Sequence, residues 1–377
     1  MADCIPIDAY DDAEKRALTR VSYPAIRSFR PSGFQSVSFP TNVTDELELA
    51  RYVDIMSEVA PMQRYLFDDV YSRHEAAAID DVATQVLAFT AQRFGRATHP
   101  FMSLMTATDM YRLIWFLRET VGRENLRVLE IGPGAGYLGA LLIRDGFDYT
   151  SCDNTQALYL WQTRLFHLLS KGDFDDWARH ETAPEARSAA ATTIPWWHFA
   201  EMHGRSPLAF DIIVCNRAMG EMDPWAVWYI AKMARRMLAQ SEVGAFLFTD
   251  VGVHHFFSVD GVVNTFLHCG FSHLTSPAPE PHHLLFQPQS DLQHRSLQQK
   301  LREHLQELAS DVPPVRHTEG QGLKALDFLK LRPESLAPSY AFMRELYEFI
   351  QRNEDLDWEA LFSSGDTMPQ AGIRSAS

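Results

Sequence analysis

No stretch of the sequence approaches the roughly 18 consecutive apolar residues of a membrane span. The opening residues, MADCIPIDAYDD, are acidic and contain no apolar core, so no secretory leader is expected. Cysteine is scarce. Cys4, Cys152, Cys215 and Cys269 stand far apart without metal-ligand spacing, and read as buried thiols of a reducing cytoplasm. Positive charge is also short: Lys and Arg number 34 against 49 Asp and Glu, giving −15, which argues against a nucleic-acid partner gripped by its phosphates. Repeats and low-complexity segments are missing too. What is present is an ordinary globular composition, 46% hydrophobic and 22% charged over 377 residues. That length suggests about two structural units. The expectation is a cytoplasmic enzyme without membrane or nucleic-acid partners.

Local patterning divides the chain at 1–105, 106–290 and 291–377. Residues 1–43 include SYPAIRSFRPSGFQSVSFPTN, rich in Ser, Pro and aromatics with no sustained period, and predict an irregular arm. Helix is predicted from Thr44 as N-cap, with Asp45 and Glu46 in the first turn and Leu49, Tyr52, Val53 and Met56 on one face. Another helix is predicted over Asp80–Phe94. A third opens at Thr106 and Asp109, carries Met110, Leu113, Ile114, Leu117 and Val121, and ends at Gly122.

From Arg127 the pattern becomes strand and helix in alternation. Strands are predicted at Val128–Ile131, Tyr149–Cys152, around Ala189–Thr193, Phe210–Cys215, Ala245–Thr249, Phe271–Leu274 and His283–Gln287. Helices are predicted around Leu138–Leu142, over Ala157–Leu169, from Pro224 through Leu238, and over Val262–His268. Such alternation predicts an α/β fold with a mainly parallel sheet covered on both faces. SPAPEPH is too short for a helical crossover, so the last strand should run antiparallel. Beyond Gln293, Leu297, Leu301, Leu305 and Leu308 form a helical stripe, Pro313 and Pro314 break it, a final helix is expected over Tyr340–Gln351, and the tail after Ser363 reads as disordered.

The most informative stretch is Arg-Val-Leu-Glu-Ile-Gly-Pro-Gly-Ala-Gly-Tyr-Leu-Gly, residues 127–139. A strand that ends in glycines and turns at once into a helix lets backbone approach a ligand closely and offers it unpaired N–H groups. Asp153 closes the next strand about 20 residues on, where an acid can accept hydrogen bonds from both ribose hydroxyls of a nucleoside. Gly134, Gly136 and Gly139 also satisfy G-x-G-x-x-G, which leaves a nicotinamide oxidoreductase open. Glu130 weighs against a pyrophosphate there, and its charge suits a ligand bearing ammonium and sulfonium groups.

Glu130-Ile-Gly132-Pro133-Gly134-Ala-Gly136 resembles motif I of the Rossmann-like S-adenosylmethionine-dependent methyltransferases, and the resemblance extends over residues 106–290. It implies a seven-stranded methyltransferase sheet, with Gly132–Gly136 and Tyr137 against the methionine part of the cofactor and Asp153 and Asn154 at its ribose. A narrower resemblance, carried by the Gly-Tyr-Leu after the turn, by Ala157–Gln162 and by Asn216 with Gly220-Glu221-Met222, is to a sugar O-methyltransferase family. It implies a hydroxyl acceptor on a sugar or sugar-derived metabolite. An amine or phenol of a natural-product pathway, and a cofactor-binding subunit without activity, stay open.

Methyl transfer needs an aligned acceptor and, for a hydroxyl, a base. The groups beyond the strand ends are Asn216, Glu221, Asp250, His254 and His255. An imidazole titrates near neutrality, so His254 or His255 is the expected base, with Glu221 assisting; both histidines could equally be solvated loop residues. Asn216 could touch the methionine end or serve only a turn. Trp196, in the cluster Ile194-Pro-Trp-Trp-His-Phe, could cover adenine or pack in the core. Asp250 and Asn216 are too few to establish a metal site, and His282-His283 lacks a zinc partner motif. Arg217 could meet an anionic substrate or be a solvated loop residue. Partners expected are a small-molecule acceptor and a second copy in a homodimer.

Overall fold

The computed structural model describes residues 4–29, 42–57, 72–249 apart from positions 99, 206, 217, 240 and 242, then 258–275, 282–286 and 299–300. Five helices precede the sheet: α1 (Ile7–Ala17), α2 (Tyr23–Phe29), α3 (Glu46–Ser57), α4 (Arg73–Phe94) and α5 (Phe101–Val121). The sheet region follows as β1 (Arg127–Ile131), α6 (Tyr137–Arg144), β2 (Asp148–Asp153), α7 (Gln156–Leu169), β3 (Phe174–Asp176), β4 (Ala191–Pro195), α8 (Trp196–Ala200), β5 (Ile212–Cys215), α9 (Pro224–Met237), β6 (Ala245–Thr249), α10 (Val259–His268), β7 (Ser272–Thr275) and β8 (His282–Phe286).

The strands form one sheet in the order β3-β4-β2-β1-β5-β6-β8-β7. The first six are parallel, and β8 runs antiparallel between β6 and β7. The expected antiparallel last strand is therefore present. Eight strands are seen where seven were expected. The additional one, β3, is a three-residue edge strand paired with Ala191–Thr193, too short to show any alternation in sequence. The central strands β4, β5 and β6 are buried along their whole length, as strands covered on both faces must be.

The N-terminal reading needs correction. Residues 7–17 and 23–29 are helical and packed, not an irregular arm. Tyr10, Ala13 and Ala17 share the buried stripe of α1, with Asp8 in its first turn and Lys15 and Arg16 in its last. Tertiary bonds hold this segment. Ile5 N–H donates to Asp176 (2.8 Å), the Trp196 indole N–H to Glu14 (2.8 Å), and the Gln156 amide to Asp11 (2.5 Å).

Three helix starts also shift. Asp45, not Thr44, caps α3, accepting from the N–H groups of Leu47 and Glu48 at 2.8 Å. Helix α4 begins at Arg73 behind a reciprocal Ser72–Glu75 capping box. Helix α5 begins at Phe101, with Thr106 and Asp109 inside it; Pro100 sets its start and Gly122, at φ 68°, its end. Gln299 and Lys300 are helical, but the remaining expectations for 291–377 lie outside the described residues. No helix among the described residues is long and apolar enough to cross a membrane.

Candidate functional site

The glycine turn sits at the carboxyl end of β1, in the middle of the sheet. Gly132, Gly134 and Gly136 all have left-handed backbones, with φ of 66°, 57° and 77°. Gly132 N–H donates to the Cys152 carbonyl (2.8 Å), and Gly136 N–H to the Pro133 carbonyl (2.9 Å), which closes the turn. A side chain at Gly132 would stand 3.0 Å from Ala218 Cβ, and one at Gly136 would stand 2.9 Å from the Phe166 ring. At Gly134 nothing lies within 4 Å. Packing therefore explains two of these glycines, while Gly134 fronts unfilled space at the start of α6, where the buried Tyr137 opens the helix.

A carboxylate stands beside that space. Asp153 ends β2 at 3% exposure, its Oδ1 accepting from Thr155 N–H (2.8 Å) and its Oδ2 from the Gln162 amide (2.8 Å). The same Gln162 Nε2 donates to the Gly134 carbonyl (2.7 Å), so one side chain of α7 ties the turn to the acid. Burial pushes the Asp153 carboxyl up to about 6, against the pull of its hydrogen bonds from Thr155, Gln162, Asn154 and Gly134. Gln162 was passed over as a site residue in the sequence. Its signal was a glutamine in a helix whose surroundings are otherwise apolar.

Glu130 braces the turn from below. Its carboxylate is 1% exposed and lies beneath the turn, accepting from the Tyr149 hydroxyl (2.6 Å) and from Gly139 N–H. Strand alternation dictates this, since Glu130 and Tyr149 project from β1 and β2 to the face that α6 covers. Both bonds lie within the packing of β1, β2 and α6. Burial, opposed by the Tyr149 bond, raises its carboxyl to about 7. A carboxyl whose folded value lies above its unfolded one stabilises most below the unfolded value, and that contribution is lost as pH rises through the folded value. Wild-type stability should accordingly fall between about pH 4.5 and pH 7 by an amount on the order of 3 kcal/mol from this group. Glu130→Gln should flatten that slope in denaturant titrations at the two pH values. An unaltered slope would remove Glu130 as its source.

The remaining predicted residues divide. Gly139 of the G-x-G-x-x-G spacing faces the Tyr149 ring, so that spacing is a helix–strand packing requirement here. Asn216 lies half-buried at the end of β5, accepting from Thr249 Oγ1 of β6 (2.8 Å). Glu221 ends a short 3-10 turn, Met219–Glu221, in the segment whose Ala218 and Met222 pack against Gly132. The carboxylate that caps α9 is Asp223, which accepts from Trp225 N–H (2.8 Å). Asn154, half-buried just past the end of β2, donates its amide to the Phe29 carbonyl (2.6 Å) and so ties α2 to the site. Trp196 is corrected as an adenine cover: at 1% exposure, with its N–H on Glu14, it is a core residue under α1. Arg217, Asp250, His254 and His255 lie outside the described residues. His282 and His283 open β8. Among the described residues, no three His, Cys, Asp or Glu side chains converge as a metal site.

No family model matches the chain, and no curated protein matches it significantly. Among solved structures it is similar to a TehB-like SAM-dependent methyltransferase from Corynebacterium glutamicum, with 14% identity over 56% of this chain and 99% of that one and a TM-score of 0.35. It is also similar to the glycopeptide N-methyltransferase MtfA complexed with sinefungin, with 14% identity over 47% of this chain and 93% of that one and a TM-score of 0.32. A third is magnesium protoporphyrin IX methyltransferase from Synechocystis with bound SAM, at 10% identity over 65% and 100% of the two chains, TM-score 0.34. These likenesses are too slight to speak to substrate or chemistry. The chain's own topology is more direct. Six parallel strands, an antiparallel strand inserted before the edge, and a glycine turn leading from the first central strand into a helix give it the Rossmann-like methyltransferase fold.

Proposed function

We propose that the protein is an S-adenosylmethionine-dependent methyltransferase acting on a hydroxyl of a small molecule, with a sugar or sugar-derived metabolite as acceptor. The observation that carries the reading is the pairing of Gly134, which fronts unfilled space, with the Asp153 carboxylate, joined to it through Gln162. Both stand at the carboxyl ends of adjacent parallel strands, where open α/β sheets bind ligands. These residues suit the proposed cofactor: the turn would receive its methionine part and Asp153 its ribose. When bound, that cofactor supplies a methyl group on a sulfonium.

That methyl group would pass to an aligned acceptor hydroxyl, and this chain's part would be to position the hydroxyl and take its proton. His254 or His255, which come after β6 in the sequence, would take that part, with Glu221 assisting from the segment after β5. The sugar acceptor rests on the motif resemblance around Gly136-Tyr137-Leu138 and Gly220-Glu221-Met222.

Calorimetry with S-adenosylhomocysteine and with NAD tests the cofactor. Binding of the first alone is expected, and binding of NAD alone would refute the reading. A panel of hydroxyl, phenol and amine acceptors then tests the chemistry. One of His254→Ala and His255→Ala should lower turnover by about 10²–10⁴-fold, with S-adenosylhomocysteine affinity unchanged. If neither does, the base lies elsewhere.

A further inference from the structure

Tyr10 of α1 is completely buried, at 0% exposure, and its hydroxyl has no hydrogen-bond partner among the described residues. Native interiors leave few polar groups in that condition, because each is costly, and those that persist call for an explanation.

Its position supplies one. The Tyr10 ring packs 5.0 Å from the ring of Tyr159 and 5.1 Å from that of Trp197. Tyr159 is fixed over β4, its hydroxyl bonding the Thr193 carbonyl (3.1 Å) and Asp176 (2.6 Å). Trp197 stands just beyond Pro195, the residue of β4 paired with Asp153 of β2. Tyr10 therefore rests over the carboxyl ends of β2 and β4, on the side where Asp153 lies. Burial and the carboxylates of Glu14 and Asp153 raise its phenol well above the ordinary value, so it stays protonated and able to donate.

A second orphan atom borders the same acid. Gln162 Oε1 is buried without a partner, although Nε2 of the same amide bonds Asp153 and Gly134. A ribose cis-diol brings two donors and several acceptor lone pairs. Its donors match Asp153 and Gln162 Oε1, and its lone pairs match the Tyr10 O–H.

We propose that Tyr10 is a nucleoside-binding residue whose hydroxyl donates to a ribose hydroxyl beside Asp153, making helix α1 a wall of the pocket. The inference rests on the methyltransferase reading above and adds to it a ligand contact from outside the sheet region.

The test is calorimetry on the full chain and on Tyr10→Phe, using S-adenosylhomocysteine and its 2′-deoxy and 3′-deoxy analogues. The variant should bind S-adenosylhomocysteine about tenfold more weakly, the scale of one lost hydrogen bond in a buried site. With the analogue lacking the contacted hydroxyl, the two proteins should bind alike. Without ligand, Tyr10→Phe should melt no lower than wild type, since it removes an unpaired buried hydroxyl and keeps the ring. Equal affinity for S-adenosylhomocysteine, or a loss that persists with both analogues, overturns the Tyr10 assignment and leaves the methyltransferase reading intact. Failure of the wild type to bind S-adenosylhomocysteine overturns both. Should the variant not fold, hydrogen exchange on the wild type decides. Slower exchange over Ile7–Ala17 on adding S-adenosylhomocysteine supports the contact, and unchanged exchange overturns it.

Discussion

Replacing Asp153 by alanine is expected to weaken S-adenosylhomocysteine binding by about 1–3 kcal/mol, the scale of lost hydrogen bonds to a charged group. That corresponds to roughly five- to 150-fold in dissociation constant. The argument is local. Asp153 is the carboxylate that Gln162 links to the Gly134 carbonyl, so its loss removes the ribose acceptor and loosens the amide that braces the turn. It also leaves Thr155 N–H without its acceptor at the start of α7, and some loss of stability should accompany the loss of affinity. Calorimetry on protein shown by its melting curve to be folded separates the two effects. Affinity within twofold of wild type in a folded Asp153→Ala protein would exclude Asp153 from the ligand site.

Gly139→Ala should produce the largest loss of stability, roughly 3–5 kcal/mol from overpacking combined with a broken buried hydrogen bond. Gly139 lies inside α6, where a glycine ordinarily costs about 0.5–1 kcal/mol relative to alanine, so the general rule predicts stabilisation. Its surroundings reverse that sign. An alanine Cβ would stand 2.3 Å from Tyr149 Cζ and 2.4 Å from its hydroxyl. Tyr149 cannot swing aside, because it is buried and its hydroxyl is held by Glu130 at 2.6 Å. Either α6 lifts from the sheet or Tyr149 abandons Glu130. Denaturant unfolding measures the outcome, and a Gly139→Ala protein at least as stable as wild type would show that α6 does not press on β2 as described.

The turn was legible in sequence because its requirements are local: left-handed backbone at Gly132, Gly134 and Gly136, an apolar strand before it, and a helix after it. The strands β5 and β6 were equally plain, being continuous apolar runs. What stayed hidden depends on partners far along the chain. IDAYDDAEKRA becomes α1 with its buried stripe on α7 and α8, held by Asp176, Gln156 and Trp196. Trp196 suggested an adenine cover because an aromatic after a strand end is a plausible lid, and only the placement of Glu14 shows it to be enclosed. Gln162 stood only at the end of the Ala157–Gln162 resemblance, with no role attached, and Tyr10 in no motif; each draws its meaning from a buried side-chain atom without a hydrogen-bond partner.

The ties of the N-terminal segment also bear on how the chain acquires its shape during synthesis. Ile5 and Asp176 are separated by 171 positions, and Glu14 and Trp196 by 182. Residues made earlier thus wait for partners made much later, and contacts so distant in sequence form slowly. Helix α1 is short enough to be marginal on its own, so it should gain lasting order only after β4 and α8 have emerged. A nascent chain arrested before Trp196 would accordingly carry an unsettled α1, exposed to proteases at a stage when a later arrest would protect it.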